Sequence, residues 1–260
     1  MQTLEVSKDA RGVARVTLAR PEKHNAMSGE MIAELSALAG DLAGDTSVRV
    51  VVLTGQGRSF CAGGDLGWMK AQIDADGPTR ASEARKLAMM LRAWDHLPKP
   101  VIGRVQGNAL GGGVGLASVC DVAIGVEGAK MGLTEVRLGL IPATIGPYVV
   151  ARMGAAKARE VFASGRVFST QEALRLNLLS RVVMPEALDE AIEAEVAPYL
   201  VAAPGAVGAA KGLIHKLAPS ATDAQIEASI AALVAQWDGT EAPHGIASFF
   251  AKTPPDWAQS

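Results

Sequence analysis

Short, continuously apolar segments are the feature that most constrains the fold of this chain. The segments VRVVVLTG, which begins at Val48, and DVAIGV, which begins at Asp121, carry apolar side chains at successive positions rather than at alternate ones. A strand with apolar residues on both faces must be covered on both faces, which is typical of parallel sheets flanked by helices. Strand and helix patterns alternate over about the first 185 residues, and helical patterns dominate after them. The sequence therefore predicts an α/β fold with a helical C-terminal portion.

Periodicity and capping signals predict the individual elements. Alternating apolar residues on either side of Gly12 predict a hairpin, and GQGRSFCAGGDL is predicted to be a glycine-rich loop. Two Ser/Thr-x-x-Glu/Gln patterns predict helix capping boxes, Ser169 with Glu172 and Thr222 with Gln225. Helices are predicted from Ser28, from about Pro78 to Leu97, and from about Leu110 to Val119.

Composition argues against several classes of function. The net charge is −2 at pH 7 and no basic stripe is present, so we expect no nucleic acid partner. The most apolar window, residues 109–126, is interrupted by Asp121 and crowded with glycine, so we expect no membrane span. The N-terminal residues contain scattered charges and no apolar run of signal-peptide length, so we expect a cytoplasmic protein. Cys61 and Cys120, in apolar surroundings, are interpreted as buried thiols in a reducing compartment.

The segment GNALGGGVGLASVCD, which begins at Gly107, places five glycines among nine residues just after an apolar strand. It contains no Gly-Lys pair, no G-x-G-x-x-G and no G-x-S-x-G, which argues against common phosphate, dinucleotide and serine-nucleophile sites. A strand, loop and helix remain, in which the backbone N–H groups of Gly111 and Gly112 could hold a developing negative oxygen. The loop Cys61–Leu66 has the same design, so two loops could supply two converging donors. Tight backbone packing is an equally good explanation of the glycines alone.

The four histidines, His24, His96, His215 and His244, are isolated in the sequence, so we expect no metal site.

Five segments, taken in order and spacing, resemble the crotonase superfamily of acyl-CoA hydratases and isomerases. They are RPEKHNAM, GRSFCAGGDL, KPVIGRVQGNALGGGVGLASVCDVAI, MGLTEVRLGLIP and EALRLNLLSRVV. The resemblance implies a crotonase-type spiral core of repeated ββα units over residues 1–190 and a helical C-terminal trimerisation region over residues 191–260. It also implies an acyl-CoA thioester substrate, no separate cofactor because coenzyme A is part of the substrate, and a homo-oligomer that is a trimer or a dimer of trimers.

The resemblance also implies the residues of the site. The backbone N–H groups of Gly64 and Gly112 would hold the thioester oxygen, and Glu135 would be the acid–base residue. The residues implied to contact the substrate or coenzyme A are Lys23, His24, Ala26, Ala62, Asp65, Leu66, Gly111, Gly115, Thr134 and, from a C-terminal helix of this or another subunit, Phe249 and Lys252. Arg137 either reaches the substrate or bonds a neighbouring carboxylate.

Hydratases of this family generally use two glutamates, and the sequence matches only one of them. Glu135 matches the second, and its apolar neighbours could raise its pKa. Gly115 occupies the position of the first, where we expect it to leave room beside the acyl group. One glutamate fits a hydratase or a Δ3,Δ2-enoyl-CoA isomerase. GGDLGWMK and EVRLGLIPATIGPYVV are most similar to bacterial hydratases of methylglutaconyl-CoA and isohexenylglutaconyl-CoA, which favours hydration. A non-catalytic acyl-CoA-binding protein and an RNA-binding protein are weaker alternatives.

Overall fold

The computed structural model describes residues 1–258, which form two β-sheets surrounded by helices. The strands of this part of the chain are β1 (Leu4–Lys8), β2 (Val13–Leu18), β3 (Val50–Gly55), β4 (Ser59–Cys61), β5 (Val101–Val105), β6 (Asn108–Leu110), β7 (Val122–Val126), β8 (Lys130–Gly132), β9 (Val167–Ser169) and β10 (Arg181–Val183). The helices are α1 (Gly29–Gly44), α2 (Leu66–Ile73), α3 (Gly77–Asp95), α4 (Gly112–Ser118), α5 (Gly146–Met153), α6 (Ala155–Phe162), α7 (Thr170–Arg175), α8 (Leu188–Val201), α9 (Pro204–Leu217), α10 (Asp223–Trp237) and α11 (Glu241–Ala251). Short 3₁₀ turns span Pro21–Lys23, Glu135–Leu138, Pro185–Ala187 and Asp256–Ala258. The predicted α/β class with a helical C-terminal portion is confirmed.

The larger sheet has six strands in the order β1-β2-β3-β5-β7-β10, and all neighbours except β1 and β2 are parallel. Every residue of β3 is buried, and its successive side chains enter different cores. Val51 and Leu53 belong to the main core, whereas Val50 and Val52 belong to a second core that includes Ile192 of α8. The sheet is therefore covered on both faces, as the continuous apolar pattern predicts.

The smaller sheet has four strands in the order β4-β6-β8-β9. Strands β4, β6 and β8 are parallel, with Cys61 opposite Ala109 and Ala109 opposite Met131, and β9 is antiparallel to β8. Each strand has only three residues. Because three residues are too few to show a period, the sequence prediction of a continuous glycine-rich loop over GQGRSFCAGGDL is wrong: β4 lies within it, and α2 begins at its last residue.

Most local predictions are confirmed. The hairpin turns at Gly12, helices α1, α3 and α4 lie close to their predicted bounds, and the capping box of Thr222 with Gln225 is complete. At Ser169 only half of the predicted box is present. The Ser169 hydroxyl accepts a bond from the Glu172 N–H, but the Glu172 carboxylate pairs with arginines instead of returning to the cap.

The C-terminal helices pack against their own chain, and α8 packs on strands β3, β5 and β7 of the larger sheet. Helix α10 packs on α3, and α11 packs on the turn Glu135–Leu138. The predicted division at residue 190 falls inside α8 and stays a prediction. Within residues 1–258 no single helix is long and apolar enough to cross a membrane. The pair Pro185–Val201 and Pro204–Leu217, which is bent by 107°, meets the length and composition of a membrane span only when its two helices are taken together.

Candidate active site

The smaller sheet brings three loops to one edge. Parallel neighbouring strands end at the same edge of a sheet, so the segments that follow β4, β6 and β8 lie side by side. These segments are Ala62–Gly64, Gly111–Gly112 and Thr134–Glu135. Residues that are more than 70 positions apart in the chain are thereby collected at one place.

The backbone N–H groups of Gly64 and Gly112 donate no hydrogen bond within residues 1–258. The two loops touch, because a Cβ built on Gly63 would lie 3.7 Å from the Gly112 nitrogen. The Gly111 N–H is different, since it donates to the carbonyl oxygen of Gly132 at 2.8 Å. Two free donors from two adjacent loops can therefore bind one oxygen, and Gly111 serves to hold its loop on β8.

Met27 holds the first of these loops in place. Its N–H donates to the Gly63 carbonyl at 2.8 Å, and its own carbonyl accepts from the Asp65 N–H at 3.0 Å. These two bonds are an isolated parallel bridge between Met27 and Gly64, and they leave the Gly64 N–H unused. The Met27 Cε also occupies the space that a side chain on Gly112 would need. A side chain at position 112 would therefore have to displace the end of the Met27 side chain.

Glu135 is the first residue of a 3₁₀ turn that follows β8. Burial raises the pKa of its carboxyl to about 7, against a small opposing effect of a hydrogen bond from its own backbone N–H. Its Oε2 is enclosed and has no hydrogen-bond partner within residues 1–258, and its Oε1 lies 3.0 Å from the position of a Cβ on Gly111. A carboxylate with a pKa near neutrality is suited to take up and return a proton.

A cavity of about 460 Å³ opens beside these groups. Its walls are mostly apolar, and among the described residues that line it only Glu135 and Arg137 are charged. The Arg137 side chain is exposed and has no ion pair or hydrogen bond within residues 1–258, so it bonds no carboxylate of this part of the chain. The hydroxyls of Thr134 and Thr144, which also line the cavity, are likewise without a partner there.

The expectation that Gly115 leaves room beside the acyl group is wrong. A Cβ on Gly115 would lie 2.5 Å from Cγ2 of Ile145 and 3.5 Å from Cδ1 of Leu91. Gly115 does not line the cavity, whereas Ile145 does. The space that the family's first glutamate would enter is therefore filled by an apolar side chain from the segment before α5.

The other predicted residues fall into two groups. Those that line the cavity with Glu135 are Ala62, Gly64, Leu66, Gly111, Gly112, Thr134 and Phe249. Phe249 reaches the cavity of its own chain, because α11 packs beside the turn that holds Glu135. Those that do not line it are Lys23, His24, Ala26, Asp65, Gly115 and Lys252.

Several residues outside the cavity have structural contacts, and the contact of Asp65 and Lys252 with substrate or coenzyme A stays a prediction. The Asp65 carboxylate caps α2 and pairs with Arg20 at 3.0 Å. The His24 carbonyl accepts a bond from the Ala62 N–H at 3.0 Å, so this segment lies against the first loop. Proximity of Lys23, His24 and Ala26 to a coenzyme A nucleotide stays a prediction. Lys252 ends α11 in the left-handed region, with φ of 56°.

Sequence reasoning missed several cavity residues, namely Met27, Trp68, Met69, Thr144, Ile145 and Trp237. Each lies in a segment whose apolar pattern is satisfied equally well by ordinary core packing. No local signal distinguishes a cavity wall from a core, so only the packing of distant segments reveals them.

Two of the four histidines are not isolated in the structure. His96 and His215 stack with ring centroids 4.1 Å apart, and their Nδ1 atoms lie 3.3 and 3.8 Å from Oδ2 of Asp95. The rings are parallel to within 9°, so the in-plane lone pairs of their nitrogens run side by side and do not converge on one ion. This cluster joins α9 to the end of α3, and none of its members lines the cavity.

Comparisons with known proteins show relatives of this chain in sequence and in fold. The family profile described as enoyl-CoA hydratase/isomerase matches residues 8–260. The chain is 35% identical to enoyl-CoA hydratase ACTT6 of Alternaria alternata, over 92% of this chain and 78% of that protein. It is also 35% identical to the (E)-benzylidenesuccinyl-CoA hydratase of Thauera aromatica, over 80% of each chain. Among solved structures, an enoyl-CoA hydratase from Mycobacterium avium superimposes with a TM-score of 0.88 at 28% identity, over 99% of each chain.

Proposed function

Because the chain belongs to the enoyl-CoA hydratase/isomerase family, we propose that it adds water across the α,β-double bond of an enoyl-CoA thioester. One observation carries the proposal: a buried carboxylate with a pKa near 7 shares a cavity with two backbone N–H groups from adjacent loops, and these N–H groups donate no hydrogen bond to any described residue. The N–H groups suit the oxygen of a thioester, and the carboxylate suits the proton that hydration must move. Relatives named as enoyl-CoA hydratases support this direction.

The proposed mechanism uses one carboxylate for both proton transfers. The thioester oxygen accepts hydrogen bonds from the N–H groups of Gly64 and Gly112, which stabilise the negative charge that develops on it. Glu135 takes a proton from water as the water oxygen bonds to Cβ, and the π electrons move onto the thioester as an enolate. Glu135 then returns the proton to Cα. Loss of one such N–H donor typically costs about 2.7–4 kcal/mol of transition-state stabilisation.

Isomerisation is the second candidate, and a specific observation favours it. Among the described residues that line the cavity, Glu135 is the only carboxylate, and Ile145 fills the space beside Gly115. A single base beside an oxyanion site can remove a proton from Cα of a 3-enoyl-CoA and deliver it to Cγ, without water. The same residues would serve either reaction.

A substrate panel with one variant tests the proposal. Wild type and Glu135→Gln would be assayed on crotonyl-CoA, 3-methylglutaconyl-CoA and a 3-enoyl-CoA by the absorbance of the enoyl thioester. We expect wild type to hydrate a 2-enoyl-CoA, and Glu135→Gln to lower kcat by about 10²–10⁴ with substrate binding retained. Turnover of the 3-enoyl-CoA alone would favour isomerisation, and near-normal turnover by Glu135→Gln would overturn both mechanisms.

For the acyl group, we propose a substrate of the methylglutaconyl type, which carries a second carboxylate. Arg137 supports this proposal, because it is the only cation among the described cavity residues and has no partner in the described chain. A relative named for a succinyl thioester also supports it. Arg137→Gln should raise KM for 3-methylglutaconyl-CoA about tenfold, the size of one charged hydrogen bond, and leave KM for crotonyl-CoA nearly unchanged. Equal effects on both substrates would contradict this acyl class.

A further inference from the structure

Thr144 is a buried polar residue without a hydrogen-bond partner. It is 8% exposed and lines the cavity, and its hydroxyl makes no hydrogen bond within residues 1–258. The hydroxyl oxygen itself is not fully enclosed, so a molecule in the cavity can reach it, whereas most of the side chain is buried. The other buried threonines behave differently: Thr3, Thr54 and Thr170 all donate hydrogen bonds.

Thr144 lies next to the segment that packs on Gly115, the position matched to the family's first glutamate. The next residue, Ile145, fills the space that a side chain on Gly115 would enter. Thr144 and Ile145 both line the cavity, so this segment supplies an apolar wall and one hydroxyl. A hydroxyl can orient a water molecule by hydrogen bonds, although it cannot take up a proton as a carboxylate does.

Other polar groups of the cavity are weaker candidates for this task. Thr134 also lacks a side-chain partner within residues 1–258, but it is only half-buried. Arg137 is exposed. Among these groups, only Thr144 combines burial, an unbonded hydroxyl and a direct chain connection to the wall at Gly115.

We propose that the Thr144 hydroxyl orients the attacking water; this inference rests on the proposed hydratase function. The hydroxyl oxygen accepts a hydrogen bond from one O–H of the water, while Glu135 accepts the other. Glu135 takes that second proton as the water oxygen bonds to Cβ, the π electrons move onto the thioester, and Glu135 returns the proton to Cα. The first O–H stays intact and becomes the hydroxyl of the product. Thr144 thus orients the water and transfers no proton.

The test compares one reaction that needs an attacking water with one that does not. Thr144→Val removes the hydroxyl with little change of shape, and Thr144→Ser retains it. The first reaction is hydration of the preferred 2-enoyl-CoA of the panel. The second is deuterium incorporation at Cα of 3-butenoyl-CoA in D₂O, which needs Glu135 and the N–H donors but no attacking water. Circular dichroism of each variant monitors folding.

We expect Thr144→Val to lower kcat for hydration about tenfold, the rate equivalent of one hydrogen bond, and to lower deuterium incorporation less than twofold. Thr144→Ser should hydrate within about threefold of wild type. Hydration by Thr144→Val at the wild-type rate, or an equal fall of both reactions, would overturn the role of Thr144 and leave the proposed function standing. A wild-type protein that hydrates no substrate of the panel would overturn the proposed function and this inference together.

Discussion

At the scale of single residues, the site is defined by a charge in apolar surroundings. Glu135 lies among Leu138, Leu140 and Ile141 of the cavity wall, and its Oε2 has no partner within residues 1–258. An ionised carboxylate at this place lowers the stability of the folded protein, because burial of an unpaired charged group is costly. The cost to stability is therefore measurable.

Glu135→Gln should stabilise the protein at alkaline pH. The folded-state pKa of Glu135, about 7, lies above its ordinary value of 4.5. The folded protein therefore binds this proton more tightly than the unfolded chain does, and the resulting stability is present below about pH 4.5 and lost as the pH rises through 7. At pH 8 the penalty is up to about 3 kcal/mol. Urea unfolding at pH 5 and pH 8 should show a larger decrease for wild type than for Glu135→Gln. An equal decrease for both would contradict the raised pKa.

Gly115→Glu should fail to restore a two-carboxylate site. The new side chain would meet Ile145 Cγ2 at 2.5 Å, and overpacking of this kind typically costs about 1–3 kcal/mol before the burial of a charge is added. We expect a lower melting temperature and no gain in hydration of crotonyl-CoA. Gly40→Glu is the matched control, since Gly40 is an exposed helical glycine with no atom within 4 Å of a built Cβ. A stable Gly115→Glu variant with faster hydration would contradict this prediction, because it would show that the Ile145 side chain moves aside at little cost.

At the scale of elements, the site depends on a short sheet and on one C-terminal helix. Strands β4, β6 and β8 deliver the three loops, and α11 packs on the turn that carries Glu135. The approach of α11 is close enough to require glycine. A Cβ on Gly245 would lie 2.6 Å from the Leu138 carbonyl oxygen, and a Cβ on Gly139 would lie 2.5 Å from the Glu241 carbonyl carbon.

Gly245→Ala should therefore disturb catalysis from outside the cavity. The methyl group would push α11 away from the turn Glu135–Leu138, so we expect a loss of roughly 1–3 kcal/mol in the free energy of unfolding and a lower kcat. Gly40→Ala in α1 is the control, and it should be stabilising by roughly 0.5–1 kcal/mol because alanine favours a helix. Denaturant unfolding and steady-state kinetics measure both variants. If Gly245→Ala and Gly40→Ala had the same free energy of unfolding and the same kcat, α11 would not support the turn.

At the scale of the whole molecule, α9 presents apolar side chains that its own chain does not cover. Leu213 is 52% exposed, Ile214 64% and Leu217 76%, and Val201 at the end of α8 is 89% exposed. The opposite face of α9 is anchored, since the Lys211 ammonium pairs with Asp121 at 2.7 Å. A rigid helix with an uncovered apolar face is typical of an interface between chains.

We expect this face to assemble the protein into trimers or dimers of trimers. Sedimentation of wild type at micromolar concentration should show an oligomer, and Ile214→Glu combined with Leu217→Glu should shift it toward the monomer, because charged groups are costly in an apolar interface. A wild-type monomer would contradict the assembly. An oligomer unchanged by the double substitution would place the interface elsewhere.

The sequence by itself determined the elements whose signals are local. The continuous apolar run of β3, the cap of α1 at Ser28 and the capping box at Thr222 depend on neighbours a few residues away, and each was predictable. The resemblance of contiguous motifs to the crotonase superfamily also indicated the candidate base Glu135 and the glycines of the two loops, and the roles of these residues stay predictions. The three-residue strands were not, since their pairing is set by partners about 20 to 50 positions away.

The tertiary structure alone decided what surrounds these residues. Ile145 and Gly115 are 30 positions apart, and only the packing of α5 on α4 shows that one fills the space beside the other. The same holds for the stacking of His96 on His215, and for the side chains of Thr144 and Arg137, which have no hydrogen-bond partner among the described residues. A sequence motif specifies which groups are available, but burial, free volume and the presence of a partner are properties of contacts between distant segments. Those contacts set the pKa of Glu135 and the shape of the cavity.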